Sequence, residues 1–308
     1  MTCKVTVVGA GNVGATCAQR LVEKDIADVV LLDIVEGMPQ GKALDIMESA
    51  PVEGFSKRIV GTNNYADTKG SSVVVITAGL ARKPGMSRDD LLFKNAEIVG
   101  TIAENIVAQS PDCIIIMVTN PLDVMSYLVY KKTGIPAQRV IGMAGVLDTA
   151  RYRYFVAEAC GCLPHEVEAM VLGGHGDTMV PLIGETTVCG KPIAGRMKKE
   201  KIDALVERTR KGGAEIVALL KSGSAYYAPS SSAVAMVKAV LQDEKRTMPC
   251  CAYLTGEYGL TDIYFGVPVV LGRNGIEKIV ERILTDNEQK ALALSAESVR
   301  TQIKKLSI

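Results

Sequence analysis

Six residues near the N-terminus, Gly9-Ala-Gly-Asn-Val-Gly14, constrain this chain more than any other feature. They fit the spacing G-x-G-x-x-G, and their context gives that spacing meaning. A continuous apolar run, Lys4–Val8, reads as a strand before them, and Ala15–Glu23 reads as a helix after them. The next strand-like run, Val29–Leu32, is closed by Asp33. Strand, glycine loop, helix, strand and closing acid in this order form a dinucleotide-binding unit. Gly9 permits the tight turn, Gly11 admits a pyrophosphate close to the backbone, and Gly14 lets helix and strand pack. Free N–H groups at the helix start favour negative charge. The candidate cofactor residues are therefore Gly9, Ala10, Gly11, Asn12, Val13, Gly14 and Asp33. A carboxylate at Asp33 suits a ribose diol and repels a 2′-phosphate, so the expected cofactor is NAD and not NADP.

The same alternation continues through the first half. Apolar strands are expected at Val73–Ile76, Ile114–Val118 and Arg139–Gly142. Helices are expected at Gly37–Ser49, Arg88–Gln109 and Leu122–Lys132. Near-continuous apolar strands between helices imply a parallel sheet covered on both faces, which is an α/β, doubly wound Rossmann sheet. The second half has a different texture. It suggests a helix near Thr149–Cys160, a strand near Ala169–Leu172 and a hairpin over Thr186–Pro192 turning at Gly190. Helices follow at Lys201–Lys221, Ser231–Gln242 and Glu288–Leu306, with short β segments at Met248–Thr255 and Val267–Gly272. This reads as an α+β substrate and catalytic domain. The expected boundary lies near Ala144, giving an NAD-binding domain over 1–144 and a second domain over 145–308.

Composition removes several classes of function. With 48% hydrophobic and 22% charged residues, the 308-residue chain is built to fold and not to remain disordered. The formal net charge is +1, and the densest basic stretch, Arg196–Lys201, is short and contains Glu200, so nucleic acid is not an expected partner. The longest apolar runs are strand-sized and no secretory leader is evident, so a cytoplasmic protein with no membrane partner is expected. The eight cysteines form no Cys-x-x-Cys pair, and with only two histidines no zinc site is expected. They read as buried, reduced thiols.

His165 and His175 are the only side chains that ordinarily titrate near neutrality. His165, in Leu163-Pro-His-Glu-Val167, reads as an exposed helix-end residue. His175, in Leu172-Gly-Gly-His-Gly-Asp-Thr178, follows an apolar strand and is flanked by glycines that let the backbone carry the imidazole close to a ligand. Asp148 and Arg151, three residues apart in Val146-Leu-Asp-Thr-Ala-Arg151, share a helix face. A carboxylate beside His175 would fix its tautomer and raise its pKa, and a guanidinium would suit a substrate carboxylate. By spacing alone the same pair also reads as a surface ion pair.

Taken together these residues resemble the malate/lactate dehydrogenase family over essentially the whole chain. The resemblance rests on the Gly9–Gly14 loop, Thr77-Ala-Gly79, Lys83-Pro-Gly-Met-Ser-Arg88, Val118-Thr-Asn-Pro-Leu-Asp123, Gly145–Arg151 and Gly174-His-Gly-Asp177. It is most similar to the branch of lactate-dehydrogenase-like malate dehydrogenases of prokaryotes. The resemblance implies that His175 accepts the proton, Asp148 orients it and Arg151 clamps the C1 carboxylate. It implies that Arg88, on a loop over Leu80–Asp90, polarises the carbonyl, and that Asn120 binds the substrate oxygen. Asn95, Val118, Thr119 and Asn120 are implied to contact NAD. Arg82 is implied to bind the C4 carboxylate of malate or oxaloacetate where lactate enzymes carry Gln. The alternatives are a lactate dehydrogenase and a non-catalytic NAD-binding protein. Gly223–Pro229 departs from the lactate pattern, and Ala225 leaves more room for substrate. A homo-oligomer is implied, a tetramer before a dimer.

Overall fold

The structure is a computed structural model that describes residues 3–80 and 87–306, apart from the side chain of Arg88. The chain begins with β1 (Lys4–Val8), α1 (Asn12–Glu23), β2 (Asp28–Leu32), α2 (Met38–Glu48), α3 (Ala50–Glu53), β3 (Ile59–Thr62) and β4 (Val73–Ile76). It continues with α4 (Arg88–Gln109), β5 (Ile114–Met117), α5 (Leu122–Thr133) and β6 (Val140–Gly142). Five parallel pairings set these strands in the order β3-β2-β1-β4-β5-β6. That is the doubly wound order, whose carboxyl edge binds dinucleotides.

The apolar strands are buried because both faces are covered. Val73 and Val75 face one core with Leu21, Leu31 and Ile116, whereas Val74 and Ile76 face the other with Val99, Ile106 and Ile115. Successive side chains of one strand thus serve opposite cores, as the period of two requires. Each such aliphatic side chain contributes roughly 1.5–3 kcal/mol by leaving water. Strand β3 is absent from the sequence reading. Its four residues include exposed Val60 and half-buried Gly61, so no apolar run marks it. Gly61 is needed there, since a Cβ would lie 2.1 Å from the Pro39 carbonyl oxygen of α2.

The second half opens with α6 (Gly145–Cys160) and the short strands β7 (Val167–Glu168), β8 (Val171–Leu172), β9 (Val180–Pro181), β10 (Thr187–Val188) and β11 (Lys191–Pro192). Helices α7 (Lys199–Leu220) and α8 (Tyr227–Leu241) follow, then β12 (Arg246–Thr255), β13 (Thr261–Gly272), β14 (Gly275–Ile279) and α9 (Asp286–Lys305). Of the expected strand Ala169–Leu172 only Val171–Leu172 forms, as β8 paired with β9, and a separate short strand, β7, precedes it and pairs with β10. The hairpin turning at Gly190 is present as β10 and β11.

The larger correction concerns the two short β segments. They are a long antiparallel hairpin, β12–β13, extended by β14, and they join the nucleotide-binding sheet through Cys251 opposite Gly142, giving nine strands among the described residues. Gly266 lies just before the expected segment Val267–Gly272 and within β13. In the fold it lets β13 pass the chain before His175, because a Cβ there would sit 2.2 Å from the Gly173 carbonyl oxygen. The cysteine expectation also needs amending: Cys17, Cys113, Cys250 and Cys251 are buried, but Cys3, Cys160 and Cys162 are half-buried and Cys189 is exposed. No helix among the described residues is long and apolar enough to cross a membrane.

Candidate active site

A cleft of about 330 Å³ opens at the carboxyl ends of β1, β2 and β4, lined by Gly9, Gly11, Asp33, Thr77, Gly79 and Leu80 among others. The glycine loop forms one wall, and its three glycines have different reasons to exist. At Gly9, φ is +100° and a Cβ would meet the Ala78 nitrogen at 2.7 Å. At Gly14 a Cβ would fall 1.8 Å from the Gly9 carbonyl oxygen. At Gly11 a Cβ would meet none of the described residues within 4 Å, so no packing among them demands glycine there. The open space above Gly11 belongs to the cleft. Helix α1 starts at Asn12 with no side-chain cap and no acidic residue in its first turn, and Val13 lies in that turn. Its N–H groups and dipole are left for an anion.

Asp33 stands at the end of β2. Its Oδ2 accepts from the Ala10 N–H at 2.6 Å and its Oδ1 from the Val35 N–H at 2.9 Å. The carboxylate thus fixes the loop as well as facing the cleft, and lone pairs remain on both oxygens for a ribose diol. Lys42 of α2 adds a second tie, donating to the Ala10 carbonyl at 2.6 Å. The sequence reading passed over Lys42, which lies outside the glycine pattern. Open backbone at Gly11, an uncapped helix start and an acid closing β2 fit NAD.

The floor of the cleft is held by side chains from β4, α4 and β5. Thr119 is buried and donates to the Ala78 carbonyl at 2.7 Å, while the Val118 N–H extends the ladder to Ile76 at 2.9 Å. Asn95 is also buried. Its Oδ1 accepts from the Leu80 N–H at 2.8 Å, and its Nδ2 donates to the Leu80 and Asn120 carbonyls at 3.2 and 2.7 Å. Asn95 therefore clasps the backbones after β4 and β5, and Asn120 is left exposed at the end of β5. Arg82 lies outside the described residues, as does the side chain of Arg88; the α4 backbone that carries Arg88 is capped by Ser87, which accepts from the Asp90 N–H at 3.0 Å.

His175, Asp148 and Arg151 come together from two elements. The His175 Nδ1 lies 2.9 Å from Asp148 Oδ2, and Arg151 Nη1 lies 3.8 Å from the other oxygen of the same carboxylate. Asp148 is only 1% exposed, and both its partners are 14% exposed, so the surface-pair alternative for Asp148 and Arg151 is excluded. Burial pushes the His175 pKa down, but the charge and hydrogen bond of Asp148 and the charge of Asp123 outweigh it, and the pKa rises above its ordinary value. Burial draws the Arg151 pKa down, against the pull of Asp148. His165, by contrast, is exposed on a short turn, Pro164–Glu166, as expected.

Asp123 is the residue whose place the sequence reading missed, although its motif was noted. It is buried, and its Oδ2 accepts from the His175 backbone N–H at 2.9 Å. Burial raises its pKa above the usual carboxylate range, against hydrogen bonds from His175 and the Cys251 thiol. Two carboxylates from α5 and α6 therefore hold His175, one by its backbone and one by its ring. The glycines around it also have a sharper reason than mobility. Gly173 has φ +91° and donates its N–H to the Gly266 carbonyl at 2.9 Å; the Gly174 N–H meets Ser295 of α9 at 2.9 Å.

Two further features escaped the sequence reading. Gly212 and Gly213 in α7 leave room for Arg151, whose Cδ would be 3.2 Å from a Cβ on Gly212. Ser230, in a serine run with no evident use, is buried and donates to the Val13 carbonyl at 2.8 Å, tying α8 to the helix of the glycine loop.

A doubly wound sheet that carries NAD, joined to a lobe that buries a carboxylate-held histidine, defines an NAD-dependent dehydrogenase. The chain belongs to the lactate/malate dehydrogenase family: residues 3–142 match its NAD binding domain and residues 145–307 its alpha/beta C-terminal domain. Among its relatives, the malate dehydrogenase of Chloroherpeton thalassium is 57% identical over 305 residues, covering 99% of this chain and 98% of that protein. The solved malate dehydrogenase of Cryptosporidium parvum superposes with a TM-score of 0.97 at 46% identity, covering 100% of this chain and 99% of the other. The lactate dehydrogenase of the same organism, solved with lactic acid and nicotinamide adenine dinucleotide, gives 0.97 at 44% identity, covering 100% and 98%.

Proposed function

We propose that the chain catalyses reversible, NAD-dependent oxidation of (S)-malate to oxaloacetate. The observation that carries the chemistry is the 2.9 Å contact between His175 Nδ1 and buried Asp148. It supports a ring proton on Nδ1, with Nε2 as the acceptor for the substrate hydroxyl proton. Asp123 fixes the histidine backbone, and Arg151 binds the C1 carboxylate as a two-pronged donor. Bound NAD supplies the hydride acceptor. Asn120 hydrogen-bonds the reacting oxygen, and Arg88 polarises it. Val118, Thr119 and Asn120 would contact NAD, and Asn95 sets the backbone of Asn120. Residues 1–144 hold the cofactor and contribute Arg82, Arg88 and Asn120 to the substrate, and residues 145–308 supply His175, Asp148 and Arg151.

Malate is favoured over lactate by the relatives named malate dehydrogenase and by Arg82, which matches the C4 carboxylate in charge. A smaller ligand would leave that arginine unpaired in a closed site. We further propose a cytoplasmic homotetramer acting in the tricarboxylic acid cycle. The deciding experiment compares kcat/KM for oxaloacetate and pyruvate in the parent and in Arg82→Gln. Oxaloacetate should dominate in the parent and pyruvate should gain in the variant. An unchanged ratio sinks the selector, and pyruvate preference in the parent sinks the malate reading. His175→Asn should lose turnover and keep NADH affinity; near-normal turnover would remove His175 from the chemistry.

A further inference from the structure

Outside the active site, one cluster of reactive side chains stands apart. Cys162 follows α6, Glu166 ends the short turn before β7, and Cys189 sits in the β10–β11 turn. The two Sγ atoms and a Glu166 carboxylate oxygen all lie within 4.8 Å of one another. Cys162 and Glu166 are half-buried and Cys189 is exposed.

Backbone pairing, independent of the side chains, brings them together. Val188 pairs with Val167, which sets Cys189 beside Glu166, and the Cys189 N–H donates to the Glu166 carbonyl at 2.8 Å. Cys189 adopts a φ of +49°, a left-handed conformation uncommon for a residue with a side chain. The Leu163 N–H holds Glu166 Oε2 at 2.8 Å, which aims the carboxylate and leaves its second oxygen available. Burial, and then the neighbouring Cys189, Cys160 and Glu166, push the Cys162 thiol above its ordinary pKa. Acidic groups are thus crowded around one point.

Against the expectation from cysteine spacing that no zinc site exists, we infer that Cys162, Cys189 and Glu166 form a binding site for a thiophilic divalent cation of the zinc type. Zinc takes sulfur at ~2.3 Å and carboxylate oxygen at ~2.0–2.2 Å, so tetrahedral donors stand roughly 3.5–3.8 Å apart. The three donors reach that spacing by side-chain movement of about 1 Å. Two sulfurs and one carboxylate select zinc over magnesium or calcium, which prefer all-oxygen shells. Cys189 is exposed, so water would complete the shell as the fourth ligand. The cation would clamp the two ends of the segment that carries His175, raising stability without touching the reaction. Both thiols give up their protons on binding, so affinity should rise with pH.

The test uses the full-length protein, freed of metal and reduced with a phosphine that does not chelate. Zinc is titrated in competition with a chromophoric chelator, and cobalt(II) is added separately to read thiolate charge-transfer absorption. One ion per chain is expected, with the absorption band present in the parent and in Cys160→Ser. The band should vanish in Cys162→Ser and Cys189→Ser, and Glu166→Gln should weaken zinc binding by ~10-fold or more. NADH affinity and turnover, both unchanged across the four variants, certify that each is folded. Three results would overturn the assignment: no stoichiometric uptake, uptake that survives both cysteine variants, or a Cys162–Cys189 disulfide in the isolated protein whose reduction restores no uptake.

Discussion

Two glycines of the same loop should fail in opposite ways when each becomes alanine. A Cβ on Gly14 would lie 1.8 Å from the Gly9 carbonyl oxygen and 2.7 Å from Thr77 Oγ1, and real Cβ contacts essentially never fall under 3.0 Å. The first turn of α1 must then pull away from β1 by over ~1 Å. Overpacking of that kind costs about 1–3 kcal/mol or more, a Tm loss of roughly 2–12 °C. Gly11 has φ −66° and ψ −173°, which alanine adopts without strain, and its Cβ would touch no protein atom within 4 Å. Replacing glycine there should be neutral or stabilising by about 0.4–1 kcal/mol, through the unfolded chain. The added methyl projects into the cleft where the pyrophosphate approaches, so NADH affinity should fall at least ~10-fold, about 1.4 kcal/mol. Thermal melting with and without NADH, plus a fluorescence titration, reads both quantities. Gly11→Ala that binds NADH like the parent, or Gly14→Ala that melts with the parent, would refute this account.

Four further outcomes follow from the site. Asp148→Asn removes the charge that favours protonated His175, so the rise of malate oxidation with pH should move to lower pH; kcat should fall ~10–150-fold for a lost charged hydrogen bond of about 1.5–3 kcal/mol. A pH–rate profile unchanged in midpoint would contradict the pairing. Asp123→Ala leaves the buried His175 N–H unpaired, at about 1–3 kcal/mol, and should lower Tm and kcat while sparing NADH binding. Equal Tm in a melting experiment would count against it. Asp33→Ala should erode the preference for NAD over NADP in steady-state kinetics and also lower Tm, since Asp33 anchors Ala10; intact cofactor preference would remove Asp33 from recognition. Gly212→Ala should gain about 0.5–1 kcal/mol of helix propensity, yet raise the KM for oxaloacetate by crowding Arg151 Cδ at 3.2 Å, and an unchanged KM would show that Arg151 tolerates the methyl.

Local chemistry made much of this legible in sequence. The glycine loop, Asp33 and the apolar strands declare themselves because turn geometry, anion binding and strand burial act over a few residues. The sequence pattern bounds helix α4 at Arg88 and Gln109, where the observed element begins and ends. What escaped the reading depends on residues far apart in the chain. Nothing local says that Asp123 meets His175 or that Gly212 clears Arg151. Nor does it say that Cys189 faces Glu166, or that β12–β14 would extend the first sheet. Asp148 and Arg151 show the division most plainly. Three-residue spacing placed them on one helix face, and that is equally true of a solvated ion pair. Only the packing of α6 against the His175 loop buried the carboxylate and turned the pair into part of a proton-handling site.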